Sequence, residues 1–325
     1  MKLTSISFNF IFNYRLWLLV LIAIPTLGQQ SAQFSLFPLN QLYYNPAAAG
    51  LGNVTQVHLT HRAQYAGYQG TVETDGAPTT QLLSASLPFK NLGIGLIALN
   101  DRTGALSMQD IQLSGAYRLN IADGNTLAFG VRAGILRKAL DYNKLRPNDD
   151  DDPLLQTGIA SEMHPNVSVG VHYNSEAFYA GLSVMNLLKS KYQFNSPTGI
   201  NTTQSTYHFQ AGLNIDAGYL LQIRPIINLQ TNLTEFSYEG GAMATYASRY
   251  WAGVTYRKQD ALIAMGGIGI TADQSLRLSG AVDLVRFGTT AKEPISYEIL
   301  LAYVIPAPKF GKKTIIRTPR FRFDQ

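Results

Sequence analysis

Leu127-Ala128-Phe129-Gly130-Val131-Arg132-Ala133-Gly134-Ile135-Leu136 is the stretch on which the fold turns. Successive side chains of a strand point to opposite faces. Leu127, Phe129, Val131, Ala133 and Ile135 then form one apolar face, and Ala128, Gly130, Arg132 and Gly134 the other. The same period recurs where Tyr207, Phe209, Ala211, Leu213 and Ile215 alternate with His208, Gln210, Gly212, Asn214 and Asp216. It recurs again where Leu276, Leu278, Gly280, Val282 and Leu284 alternate with Arg277, Ser279, Ala281, Asp283 and Val285. A soluble sandwich alternates too, but its polar face carries many Lys and Glu. Here that face holds Gly, Ser, Asn and Gln, the composition expected of a lumen wetted inside a lipid-clad barrel. On this reading Val131 faces hydrocarbon, and Arg132, facing water, should tolerate Gln.

Working outward, such runs number fourteen: about 54–65, 79–87, 92–100, 108–119, 126–139, 165–173, 177–188, 204–216, 219–230, 236–246, 249–257, 261–271, 275–287 and 295–305. An even count is what a closed single-chain antiparallel barrel requires. Connections after odd-numbered runs tend to be long (66–78, 140–164, 189–203, 288–294). Those after even-numbered runs are tight, as in Pro88-Phe89-Lys90-Asn91 and Ala217-Gly218. Short periplasmic turns and long outer loops are the asymmetry of outer-membrane barrels, and it puts both termini in the periplasm. The expected fold is all-β, a transmembrane antiparallel β-barrel of about 14 strands over 54–305.

Composition agrees. Of the 325 residues 14% are charged, against roughly 25% in soluble domains, while 18 Tyr, 15 Phe and 28 Gly are present. Zero Cys excludes disulfides, iron–sulfur clusters, thiolate zinc sites, thiol catalysis and lipidation at an N-terminal Cys. No run in the body of the chain approaches the roughly 18 apolar residues of a membrane-spanning helix.

The ends read differently from the middle. Lys2 and Arg15 precede the apolar run Leu16–Ile24, which ends at Pro25 and small or polar residues. These are the parts of a secretory signal peptide over residues 1–28, cleaved near Gly28. Nine residues reach only about 14 Å as a helix, half of a bilayer core. Residues 29–53 form an N-terminal lead-in or a short plug in the barrel mouth, with Asn45-Pro46 forcing a turn and Gly50 closing the run of small residues.

The whole net charge of +5 sits in the tail over 306–325, where Lys309, Lys312, Lys313, Arg317, Arg320 and Arg322 stand against Asp324. A nucleic-acid groove is woven through a fold, and a terminal appendage is not, so nucleic acid is set aside. Phe310 and Phe321 interleave with these cations, so the tail reads either as a partner-docking strip or as a disordered, solvated appendage.

Chemistry is sparse. His58 and His61 lie three apart on one strand and face opposite ways, so they cannot jointly chelate. Asp149-Asp150-Asp151-Asp152 lies in the longest outer loop, either solvated or gathering surface Ca²⁺, but without the alternating spacing of a calcium loop. There is no GxSxG, HExxH or phosphate loop. A barrel hydrolase would need one Ser–His pair within hydrogen-bond reach at the rim, with His61 or His208 the candidates.

One set of motifs is more specific. Tyr43-Tyr44-Asn45-Pro46-Ala47-Ala48-Ala49-Gly50 is followed by His61-Arg62-Ala63-Gln64-Tyr65 and Gly76-Ala77-Pro78. Then come Tyr179-Ala180-Gly181-Leu182-Ser183-Val184-Met185-Asn186-Leu187 and the ending Ser296-Tyr297-Glu298-Ile299-Leu300-Leu301-Ala302-Tyr303. In this order they resemble the PorP/SprF family of outer-membrane proteins of the Bacteroidetes type IX secretion and gliding machinery. The resemblance implies a barrel without enzymatic activity. It would work beside the translocon or the periplasmic ring components, in some members with a particular secreted adhesin as cargo. It supplies no catalytic or cofactor residues. The competing reading is a transport channel of fatty-acid-porter type, since fourteen strands and an N-terminal Asn-Pro-Ala plug also suit that design.

Overall fold

The computed structural model describes residues 32–67, 77–122, 124–145, 157–194, 201–285 and 295–305. The leader over 1–28, the Asp149–Asp152 run and the tail over 306–325 lie outside them.

Fourteen long strands make the wall. In chain order they are β1 (Thr55–Ala63), β2 (Thr79–Phe89), β3 (Leu92–Thr103), β4 (Leu106–Ala122), β5 (Asn125–Asp141), β6 (Ile159–Asn174) and β7 (Phe178–Met185). After a two-residue ribbon of β8 (Lys191–Tyr192) and β9 (Asn201–Thr202) come β10 (Thr206–Leu213) and its short continuation β11 (Ile215–Asp216). The circuit ends with β12 (Leu221–Thr231), β13 (Phe236–Tyr246), β14 (Tyr250–Arg257), β15 (Ala261–Gly269), β16 (Leu276–Val285) and β17 (Ile295–Ile305). Each long strand pairs antiparallel with its neighbours, β10 with β12 across the short β11. β1 closes on β17 from Thr55↔Ile305 to Ala63↔Tyr297. Closure leaves no sheet edge, the condition for strands to cross lipid without unpaired backbone groups.

The alternation is realised on the wall. Val131 is 57% exposed while its neighbour Arg132 is 0% exposed, so the two faces of β5 part as the period requires. Leu59, Ile94, Ile111, Leu113, Val254 and Ile299 are among the large apolar side chains turned outward. β4, β5 and β6 run longer than their patterning suggested: β6 begins at Ile159 rather than near 165, because its ladder with β5 continues to Asp141↔Ile159. Asn214 interrupts the run over 204–216, dividing it into β10 and β11.

The inward face carries the expected Ser, Gly and Gln, but it is not wetted: the N-terminal segment fills the mouth as a plug and buries it. Phe34, Leu36, Phe37, Leu42, Tyr43 and Tyr44 of the N-terminal segment pack with inward side chains of the wall such as Leu82, Ile97, Met243, Ile263 and Leu300.

Candidate functional site

The segment from Ala32 to Asn53 runs inside the barrel as a turn, the single helical turn α1 (Gln41–Tyr44) and two 3₁₀ turns. α1 stops at Asn45, whose φ of −138° is extended, as expected before a proline. Asn45 Oδ1 accepts from Ala47 N at 2.9 Å and so caps the 3₁₀ turn Pro46–Ala48, with Pro46 at its first position. The Asn45 amide nitrogen donates to the carbonyls of Val171 on β6 and Leu182 on β7, at 2.9 and 3.3 Å. One side chain therefore both turns the segment and ties it to the wall. Gly50 has φ +74°; its N–H donates to Ser86 Oγ on β2 at 2.7 Å, and its carbonyl accepts from Arg118 on β4.

Glycines on the inner face make room. A Cβ on Gly130 would overlap the backbone of Pro46 and Ala47, and one on Gly93 the carbonyl of Ala49. On Gly170 it would overlap the Asn45 carboxamide. The obstructing atoms are mainly backbone, which cannot swing aside as a long side chain can. These glycines, on β3, β5 and β6, fix where the segment lies.

Arg132 completes this side. Its Nη1 donates to the carbonyls of Leu42 (3.0 Å) and Tyr43 (2.9 Å), satisfying acceptors that a single helical turn leaves open. The expectation that Arg132 faces water is overturned: the side chain is buried against the segment. Tyr43 and Tyr44 stand edge to face, with ring centroids 4.9 Å apart. Tyr43 OH donates to Ala32 O, Tyr44 OH accepts from Phe34 N, and burial pushes both hydroxyls above their ordinary pKa.

On the opposite wall charges gather about Ser35. Arg62 on β1 bonds Asp283 on β16 at 2.7 Å and Glu298 on β17 at 3.3 Å. Arg257 on β14 bonds Glu239 on β13 at 2.9 Å and Asp283 at 3.3 Å. Ser35 Oγ donates to Asp283 at 2.6 Å and accepts from Arg62 at 2.6 Å and Arg257 at 3.1 Å. The backbone N–H groups of Ser35 and Leu36 donate to the Glu298 carboxylate at 2.6 and 3.3 Å. Buried charges persist only when paired and hydrogen-bonded, and here the N-terminal segment supplies part of that pairing. None of these contacts was legible in the sequence beyond Arg62 and Glu298 belonging to quoted motifs.

A smaller cluster packs at the loop side, around Tyr192 and Phe194. Tyr192 OH donates to Leu136 O at 3.1 Å, Tyr142 OH to Phe194 O at 2.6 Å, and Glu162 accepts from the N–H groups of Gln193 (2.9 Å) and Phe194 (2.6 Å). Lys138 lies 4.9 Å from the Tyr192 ring and donates to Asn201 at 2.9 Å.

His208 stands opposite Ser183 in the β10–β7 register, but both are buried beneath the segment rather than at the rim. Ser183 Oγ donates a hydrogen bond to the carbonyl of Tyr44 at 2.6 Å, and His208 lies against the Tyr44 ring. Both side chains of the pair contact the segment. Among the described residues no cluster of three or more His, Asp or Glu could hold a metal ion. The cationic tail residues from Lys309 to Arg322 lie outside the described residues.

Closed wall, apolar outer belt and filled lumen define the class: a fourteen-stranded outer-membrane β-barrel. Residues 26–303 match the family of type IX secretion system membrane proteins PorP/SprF, and the chain belongs to that family. No curated protein matches it. Among solved structures it is similar to the toluene transporter TbuX of Ralstonia pickettii, with TM-score 0.51 and 12% identity over 85% of this chain and 95% of that one. A Pseudomonas aeruginosa FadL homologue gives 0.45 at 11% identity, over 80% and 92%. The Pseudomonas putida toluene transporter TodX gives 0.47 at 9%, over 85% and 95%. At such identity the likeness to TbuX is one of fold.

Proposed function

We propose that the protein acts in type IX secretion as a closed outer-membrane docking component that assists export or surface retention of secreted proteins. One observation carries this reading: the lumen is filled by residues 32–53, hydrogen-bonded to β2, β4, β5, β6, β7 and β17. A polypeptide could not pass unless those contacts broke. The working surfaces are then the two rims and whatever chain extends from them. Signal cleavage near Gly28 would leave a short leader to the segment. The tail beyond 306, with Lys309, Phe310, Lys312, Lys313, Arg317, Arg320, Phe321 and Arg322, is the docking strip for other secretion components in the periplasm.

The test uses cells lacking the gene, complemented with the full chain or with a chain ending at Pro308. The full chain should restore cargo at the surface or in the medium. The shortened chain should form a heat-modifiable barrel yet fail to restore it. Unchanged export without the gene, together with passage of small solutes through the purified barrel in liposomes, would instead establish a transport channel. Normal export by the shortened chain would refute the role of the tail alone.

A further inference from the structure

The end of the lumen where the short turns lie holds a cavity of about 290 Å³, between the N-terminal segment and the wall formed by β1, β2 and β12 to β17. That is room for about ten water volumes, enough for a small organic molecule. Arg224, Arg249 and Arg277 line it together with His58, and no Asp or Glu does. Leu42, Met243 and Trp251 supply apolar lining.

The three guanidinium groups are tethered but not neutralised. Arg249 Nε donates to Gly269 O at 3.1 Å and Arg277 Nε to Gln274 O at 3.1 Å. Arg224 Nε donates to Asn214 Oδ1 at 2.7 Å, and its Nη2 reaches Gln222 at 3.4 Å. Among the described residues the Nη groups of Arg249 and Arg277 have no hydrogen-bond partner, and none of the three arginines forms an ion pair. Asp273 and Asp216, which accept from Ser275 and Gln222, do not line the cavity. This differs from the Ser35 cluster, where each arginine meets carboxylates. Like charges lining a half-enclosed, low-dielectric cleft focus a positive potential. Planar guanidinium forks with free N–H groups match carboxylate and phosphate oxygens.

We infer that this cavity binds a small organic anion, a carboxylate or phosphate head on an apolar body, through Arg224, Arg249 and Arg277 with Trp251 against the body. The inference goes beyond the secretion reading and stands without it.

The chain has two tryptophans, Trp17 and Trp251. In full-length protein carrying Trp17→Phe, purified in detergent, fluorescence therefore reports the cavity alone. Benzoate should change Trp251 emission saturably, inorganic phosphate should compete with it, and neutral benzyl alcohol should not. Arg249→Gln with Arg277→Gln should weaken benzoate roughly tenfold or more, while Lys at both positions, keeping the charge but losing the fork, should weaken it less than the Gln pair does. A heat-modifiable band verifies that each variant is folded. If the Gln pair does not fold, the wild type still decides: raising salt from about 0.05 M to about 0.5 M should weaken benzoate binding. No saturation, equal response to benzyl alcohol, or indifference to salt would overturn the proposal.

Discussion

Arg62 Nη2 stands 2.7 Å from Asp283 Oδ2, both side chains 1% exposed, and Ser35 bonds to each of them at 2.6 Å. The two charges come from β1 and β16, with β17 between them, so the pair spans the seam where the barrel closes. Arg62→Met would leave Glu298 buried without its cation, a loss of about 3–5 kcal/mol for a broken buried pair. Ser35→Ala removes only the bridging hydroxyl, and a cost of about 1–3 kcal/mol is expected. Urea titration of the heat-modifiable form checks both. Equal midpoints for Arg62→Met and the wild type would show that the cluster does not stabilise the seam.

A second prediction isolates the segment from the wall. Gly130→Val places a branched side chain against the backbone of Pro46 and Ala47, while Gly115, turned outward on β4, has nothing within 4 Å of an added Cβ. Gly115→Val should change nothing. Gly130→Val should displace the segment and expose Tyr43 and Tyr44 to chymotrypsin, with the barrel still assembled because valine suits a strand. Single-channel conductance should rise in that variant alone. A protected segment in Gly130→Val would mean the wall can yield there.

The contrast at adjacent positions of β5 tests the membrane face. Val131→Arg should destabilise the barrel by ~2–4 kcal/mol, the cost of a cation near the midplane. Arg132→Gln should leave the wall standing but loosen the segment, since the carbonyls of Leu42 and Tyr43 lose a charged donor worth about 1.5–3 kcal/mol. Refolding yield into liposomes reads the first, and chymotrypsin access at Tyr43 reads the second. Wall instability in both variants alike would contradict the assignment of faces.

Val131 and Arg132 also mark how far the sequence could be read. Period-2 alternation is local, so strand number, lipid face and closure followed from stretches of about ten residues. What lay inside did not. Gly130 on an inner face looks the same whether it borders water or the backbone of Ala47, and only the folded chain distinguishes them. Asn45 and Pro46 announced a turn, but the wall partners of Asn45, Val171 and Leu182, lie more than a hundred residues away. The Ser35 cluster draws on five strands, and no spacing in one dimension brings Arg62 to Asp283. His208 and Ser183 meet in register, but away from the rim that a hydrolase reading asks for, and the serine hydroxyl donates to the Tyr44 carbonyl.

The last prediction concerns orientation. Connections joining odd to even barrel strands include the long ones, between β1 and β2, β5 and β6, and β7 and β10. The connection from β12 to β13 lies on that same side, and Thr234 is exposed in it. Tyr219, fully exposed between β11 and β12, lies on the side of the short turns. Because outer loops of such barrels are the longer ones, Thr234 should face the medium and Tyr219 the periplasm. The absence of cysteine makes the test direct, since a single introduced thiol is the only one present. Thr234→Cys should react with a membrane-impermeant maleimide on intact cells, and Tyr219→Cys only after the outer membrane is opened. The reverse pattern would turn the barrel over, carrying the tail beyond 306 outward and the arginine-lined cavity with it.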